Sequence, residues 1–257
     1  MRVVGLHHDV LVATSRVWQT TCTIVRNGDE GFVVDSPVFP DELEILPSVL
    51  EHAEFPCSGL LATHADWDHL LGRLAFPGAS LGVAETTAAR LTAEPGAAAR
   101  ALRAFDDEHY LDRPAPLSLG QVQALPVPGH LAIGGEELEL HPADGHTADG
   151  MAIWIGWARV LLAGDYLSPV EVPMLSAGGS RDGYLATLRR LEPLVDAAAY
   201  VVPGHGDVLE GARAAAILRE DVNYLAKLPD GELPIARRSP AQRAIHAENV
   251  KRVGASK

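Results

Sequence analysis

Four short apolar runs along this chain each end in side chains that bind metal or move protons, and this recurrence constrains the fold more than any other feature. Leu60, Leu61 and Ala62 lead into "THADWDH", which carries His64, Asp66, Asp68 and His69; "LELHPADGHT" delivers His146, "VLLAGD" Asp165 and "YVVPGH" His205. Each run has the length and apolar character of a core strand. The ends of neighbouring strands meet along one edge of a sheet, which is how a site is assembled from distant positions. The pattern reads as an α/β protein with its chemistry at a sheet edge.

The residue types fit metal chemistry. Imidazole and carboxylate suit zinc, iron or manganese, and a catalytic centre keeps an open position where water becomes acidic. Seven such groups are enough for two ions with a shared carboxylate. His109, His130 and His141 stand alone and read as ordinary surface or core histidines. No GxSxG elbow or GxxxxGK[ST] phosphate loop offers another scheme.

The rest of the chain supplies a mixed framework. Thr21–Val25 and Phe32–Val34 read as strands around the hairpin turn "NGDEG". Asp41 is expected to cap a helix reaching about Ala53, made irregular by Pro47. Ala84–Phe105 reads as helix broken near "EPG", and "SRDGYLATLRRLEPLV" as another. Residues 106–130, rich in proline and poor in periodic apolar positions, are expected to form an extended loop or cap over a cleft. Residues 211–257 are expected to form a helical, basic tail, with Arg237, Arg238, Arg243, Lys251, Arg252 and Lys257 in its last part against Glu248 alone; a solvated terminal segment is the expectation there. No composition shift marks a boundary, so residues 1–257 read as one domain.

Composition narrows the partners. The net charge of −13 opposes a broad electrostatic hold on nucleic acid. No run approaches the ~20 apolar residues that span a bilayer, and the first residues lack the pattern of a secretory leader. A cytoplasmic protein with a small-molecule substrate, and no nucleic-acid or membrane partner, is expected; monomer and dimer both stay open. Cys22 and Cys57 read as two small buried thiols rather than a disulfide framework.

At this point a resemblance is plain. "HADWDH" is similar to the HxHxDH signature of the metallo-β-lactamase-fold superfamily, "DGHTADG" to its third-histidine motif, "LLAGD" to its bridging-aspartate motif and "VPGHGD" to its last-histidine motif. "FVVDSP" resembles the early strand-aspartate motif and would put Asp35 behind the ligands. The resemblance implies a four-layer αββα sandwich with a dinuclear centre at one sheet edge. It assigns His64, His146 and residue 66 to one ion, Asp68, His69 and His205 to the other, and Asp165 to a bridge. Two divalent ions are therefore the expected cofactors, zinc, or iron or manganese.

Asp66 is the departure, standing where the pattern has histidine. Counting Asp66, Asp68 and Asp165, it takes the ligand charge from −2 to −3, which favours iron or manganese over zinc. Its side chain is also shorter than histidine, so water-mediated contact with the ion is a second expectation. The leading functional reading is a hydrolase in which metal-activated hydroxide attacks an ester, lactone or thioester carbonyl, with catalytic Asp68 orienting the nucleophile and moving its proton. Trp67 and Tyr166 are candidates for substrate contact, although Trp67 also suits packing under its loop. A di-iron oxygenase or redox enzyme of the same fold is the alternative, resting on Asp66, and a regulator with an impaired centre ranks last.

Overall fold

The computed structural model describes residues 1–255, so Lys257 of the basic run lies outside the described residues. β1 (Arg2–His7), β2 (Val10–Thr14), β3 (Thr21–Asn27) and β4 (Glu30–Asp35) form an antiparallel meander. β5 (Gly59–Ala62), β6 (Leu81–Ala84) and β7 (Val122–Leu125) extend it in parallel, giving a seven-stranded sheet in chain order. A six-stranded sheet follows, ordered β13 (Leu209–Glu210), β12 (Tyr200–Pro203), β11 (Val160–Gly164), β10 (Met151–Ile155), β9 (Glu136–Pro142) and β8 (Gly129–Ile133).

Alternation along single strands builds the layers. Leu61 joins Val10, Val25 and Val34 against Leu138, Met151 and Ile153 of the second sheet, while its neighbours Leu60 and Ala62 pack outward beside Leu46 and Leu50 of α1 (Pro40–His52). Along β11, Val160 and Leu162 face the other sheet. Leu161 and Ala163 face α5 (Arg181–Ala197) and α6 (Gly211–Lys227), where Leu188, Leu191, Ala214 and Ile217 wait. Because successive strand residues point to opposite faces, every buried strand serves two layers. The result is the expected αββα sandwich.

The two-sided burial explains the site's position. β4, β5 and β6 run parallel, as do β11 and β12, and β9 shares the direction of β11 through two antiparallel steps. Their C-terminal ends open at one rim. There the sheets are tied by Met151 N–H to Thr63 O at 2.7 Å, Thr21 N–H to Gly204 O at 2.8 Å, and Thr21 Oγ1 to Pro203 O at 2.6 Å.

Three local expectations are corrected. α1 begins after Phe39, and Glu42 rather than Asp41 accepts the Phe39 N–H; Asp41 is drawn outward to Arg16. The short α2 (Gly72–Ala75) and α3 (Glu85–Ala93) flank β6, and residues 106–130 are not one extended loop: α4 (Ala97–His109) runs into the segment, and β7 and β8 add edge strands to the two sheets. Edge strands tolerate flanking prolines because only one side of the backbone needs partners, which is why composition hid them. The tail is not simply solvated. α7 (Pro240–Ala255) packs on the second sheet's helices through Val253, and Arg237, Gln242 and Asn249 are buried. Among the described residues no helix is long and apolar enough to cross a membrane.

Candidate metal centre

The loop after β5 enters a 3-10 turn, Trp67–His69, that presents Asp68 and His69 inward beside His64. From the other sheet come His146 after β9, Asp165 directly after β11, and His205 after β12. All four imidazoles are buried and share one orientation. Nδ1 is held from behind: His64 by Thr63 Oγ1 at 3.0 Å, His69 by Asp35 Oδ2 at 3.0 Å, His146 by the Met174 carbonyl at 2.8 Å, and His205 by Thr20 Oγ1 at 3.3 Å. Each Nε2 therefore faces the interior, the arrangement by which outer partners fix a ligand's ring.

The inward donors fall into two trios. Asp66 Oδ2 lies 3.3 Å from His146 Nε2 and 3.7 Å from His64 Nε2; Asp68 Oδ2 lies 3.6 Å from His69 Nε2 and 3.5 Å from His205 Nε2. Asp165 stands between them with one oxygen for each. Its Oδ2 is 3.6 and 3.3 Å from His64 and His146, and its Oδ1 is 3.2 and 3.4 Å from His69 and His205.

These spacings fit a metal ion in each trio. Ligand atoms bound to one tetrahedral ion at zinc distances stand about 3.3 Å apart, and the observed separations cluster there. His64 Nε2, His69 Nε2 and Asp165 Oδ1 are buried without a hydrogen-bond partner, a cost that coordination removes. The electrostatics agree. Burial opposes charge on these rings, yet the Asp165 carboxylate, with Glu171 and Asp68, pushes His205 up to about 10. His69 and His146 are raised in the same way by the surrounding carboxylates. Asp66 and Asp165 are held well below the carboxylate range, by His146 and His64 for the first and by His205, His69 and His64 for the second, in spite of burial. The field calls for cations in this space.

Asp66 Oδ2 lies 3.3 Å from His146 Nε2, within the range of two donors facing one space. Asp35 stands behind His69 and Thr63, with a left-handed backbone (φ 59°) that turns its carboxylate back onto Thr63 N–H and His69. Asp tolerates that conformation better than most residues. Trp67 packs beside Phe105 and Trp18 at ring distances of 4.9 and 5.7 Å, next to the centre. Tyr166 is corrected: it is buried, its ring lies tilted against that of Tyr184, and its hydroxyl accepts the His146 backbone N–H at 3.1 Å. It supports the His146 backbone and has no open face for a substrate.

Several contributors were not singled out in the sequence. Asp149 lies inside "DGHTADG" and accepts the Ala65 N–H at 2.9 Å. Arg90 bridges Asp149 and Asp66, with 2.8 Å to each, but nothing in an Ala- and Arg-rich helix marks one arginine over another. Gly204 is required by close approach, because a Cβ there would collide with Asp165 Oδ1 and come within 3.0 Å of His69 Cε1.

Comparison with known proteins finds one family by sequence and a set of structures by fold. The sequence model of one family, described as the metallo-beta-lactamase superfamily, matches residues 15–205. Among solved structures the chain is similar to a metallo-beta-lactamase from Pontibacter korlensis (19% identity, TM-score 0.61, 85% of this chain and 98% of that one). It is similar as well to DIM-1 metallo-beta-lactamase exposed to ceftazidime (18%, 0.61, 85% and 96%) and to TMB-1 (18%, 0.57, 85% and 96%). No curated protein sequence matches the chain.

Proposed function

The chain belongs to the metallo-beta-lactamase superfamily, and from that membership and its inward-facing donors we propose a metal-dependent hydrolase that opens an ester, lactone or thioester bond of a small molecule. The observation that carries the reading is Asp165, whose two oxygens each address a separate trio. His64, Asp66 and His146 would hold one divalent ion, Asp68, His69 and His205 the other, and Asp165 would be shared. Such ions, when bound, acidify water towards neutrality and polarise a carbonyl oxygen.

The protein's own groups do the rest. Asp68, fixed by its backbone carbonyl to Ser36 Oγ at 3.3 Å, sits at the wall of the centre and is the base placed to take a proton from attacking water and pass it to the leaving group. Asp35 and Met174 O keep the rings of His69 and His146 from turning. Two exposed large apolar residues flank the ligands: Trp18, 48% exposed with its ring 6.5 Å from that of His205, and Met174, whose carbonyl holds His146. They would receive an apolar portion of the substrate. The negative overall charge supports a neutral or weakly charged small molecule over a polyanion.

The test is a panel of ester, lactone and thioester substrates against metal-loaded protein and its His69→Ala variant. Turnover that the variant lacks supports the reading; no turnover by either protein removes it. The carboxylate at Asp66 also favours a second reading, a di-iron oxygenase. Iron in protein purified without added metal, together with oxygen uptake, would select it.

A further inference from the structure

We propose that Arg90 is a positioning residue that makes Asp66 a single-oxygen ligand, so that the first trio takes a small zinc-like ion in place of the larger, oxygen-seeking ions a free carboxylate invites. The inference rests on the metal-centre reading and deepens it. Asp66 has two chemically equal oxygens, and in this structure they are divided. Oδ1 accepts from Arg90 Nη2 at 2.8 Å, and Oδ2 is left facing His146 and His64.

The guanidinium itself is not free to turn. Its other amine donates to Asp149 Oδ1 at 2.8 Å, and Asp149, 2% exposed, is held through Oδ2 by the Ala65 N–H. Nε lies 3.8 Å from Glu94, one turn along the same helix, α3 (Glu85–Ala93, with Glu94 as its C-cap). A planar fork fixed at both tips confines a carboxylate far better than a flexible ammonium could.

Two consequences follow for the ion. A carboxylate with one oxygen occupied offers one donor atom, as an imidazole does, and loses the two-oxygen grip favoured by larger hard cations. The added negative charge of Asp66 is also offset, though Asp149 and Glu94 draw on the same arginine. The two imidazole nitrogens and the single Asp66 oxygen then make a three-donor set of the catalytic zinc type, with the shared Asp165 beside it. The charge count that favoured iron or manganese omitted this partner.

Arg90→Met and Arg90→Lys, each made in the natural chain and in an Asp66→His chain, test the idea. Zinc and manganese affinities would be read by competition with a chromophoric chelator, and cobalt(II) spectra would report coordination. In the natural chain, Arg90→Met is expected to weaken one of two zinc positions by about 10–100-fold, to narrow zinc's advantage over manganese, and to change the cobalt bands. Arg90→Lys, which keeps charge without the fork, should lie between, and it carries the test if the methionine variant does not fold. In the Asp66→His chain either substitution should cost no more than about twofold, because the ligand through which Arg90 acts is gone. Equal losses in both backgrounds would mark a merely structural residue and overturn the proposal, as would no loss in the natural chain. Absence of metal binding by the unaltered protein would remove the metal-centre reading and this inference together, an outcome distinguishable from both.

Discussion

Asp35 Oδ2 stands 3.0 Å from His69 Nδ1, and the same oxygen accepts the Thr63 hydroxyl at 2.9 Å, whose own oxygen lies 3.0 Å from His64 Nδ1. One buried carboxylate thus orients two imidazoles, one in each trio. Its remaining oxygen takes the Thr63 N–H at 2.8 Å, so the group has no slack.

Asp35→Asn should therefore weaken metal binding at both positions, by about 10–100-fold each. Asparagine tolerates the left-handed backbone, so the strand end is kept. Thr63→Val breaks only the branch to His64 and should weaken one position. Chelator competition with metal counting distinguishes them, and a loss confined to one position in Asp35→Asn would contradict the shared-carboxylate account.

Gly204→Ala tests the close approach of the last-histidine loop. The new methyl group would press on Asp165 Oδ1 and the His69 ring, and crowding of this kind costs about 1–3 kcal/mol. Helix and strand content by circular dichroism should persist while metal stoichiometry falls. Full metal loading would show that the loop yields more easily than the geometry implies.

A pH effect is expected away from the centre. Burial pushes Asp221 up to about 7 although Arg237, 2.7 Å away, pulls the other way. The folded state then holds this proton more tightly than the unfolded chain, whose aspartates titrate near about 4. The contribution to stability is full below that value and is lost as pH rises towards about 7. Urea unfolding at pH 5 and pH 8 should show a loss in the natural chain that Asp221→Asn lacks; parallel behaviour of the two would refute the assignment.

Asn249→Ala examines the tail. The side chain accepts the Leu175 N–H at 2.9 Å and donates to the Pro173 carbonyl at 2.7 Å, and removing it strands both buried groups. A destabilisation of about 1–3 kcal/mol is expected in denaturant unfolding. Metal affinity should fall too, since the neighbouring Met174 carbonyl holds His146.

The sequence displayed the donors and the layers but not their supports. His64, Asp68, His69, His146, Asp165 and His205 follow strands whose apolar runs are visible, and those strands end at one rim. Arg90 gave no signal because its role depends on α3 crossing beside Asp66, a relation between positions 24 residues apart. Tyr166 misled for a similar reason: adjacency to Asp165 in sequence says nothing of which way its ring points, and the fold turns it inward. Edge strands need little alternation, so β7 and β8 leave little trace in the 106–130 segment. Arg237 looked like one charge among several until Asp221 and the carbonyls of Ser168 and Glu171 gathered around it.

The buried tail has a consequence for how the centre opens. Arg237, Gln242 and Asn249 fasten the backbone of residues 168–175, and Ser168 Oγ and Met174 O in that stretch hold the His205 carbonyl and the His146 ring. Local opening in proteins proceeds through cooperative units smaller than the whole. Gln242 and Asn249 lie on α7, so undocking of that helix would loosen the footing of one histidine from each trio at once. A helix that supplies no donor to the centre is therefore expected to set how fast an ion held there would leave, and amide hydrogen exchange in α7 measured beside metal release tests this.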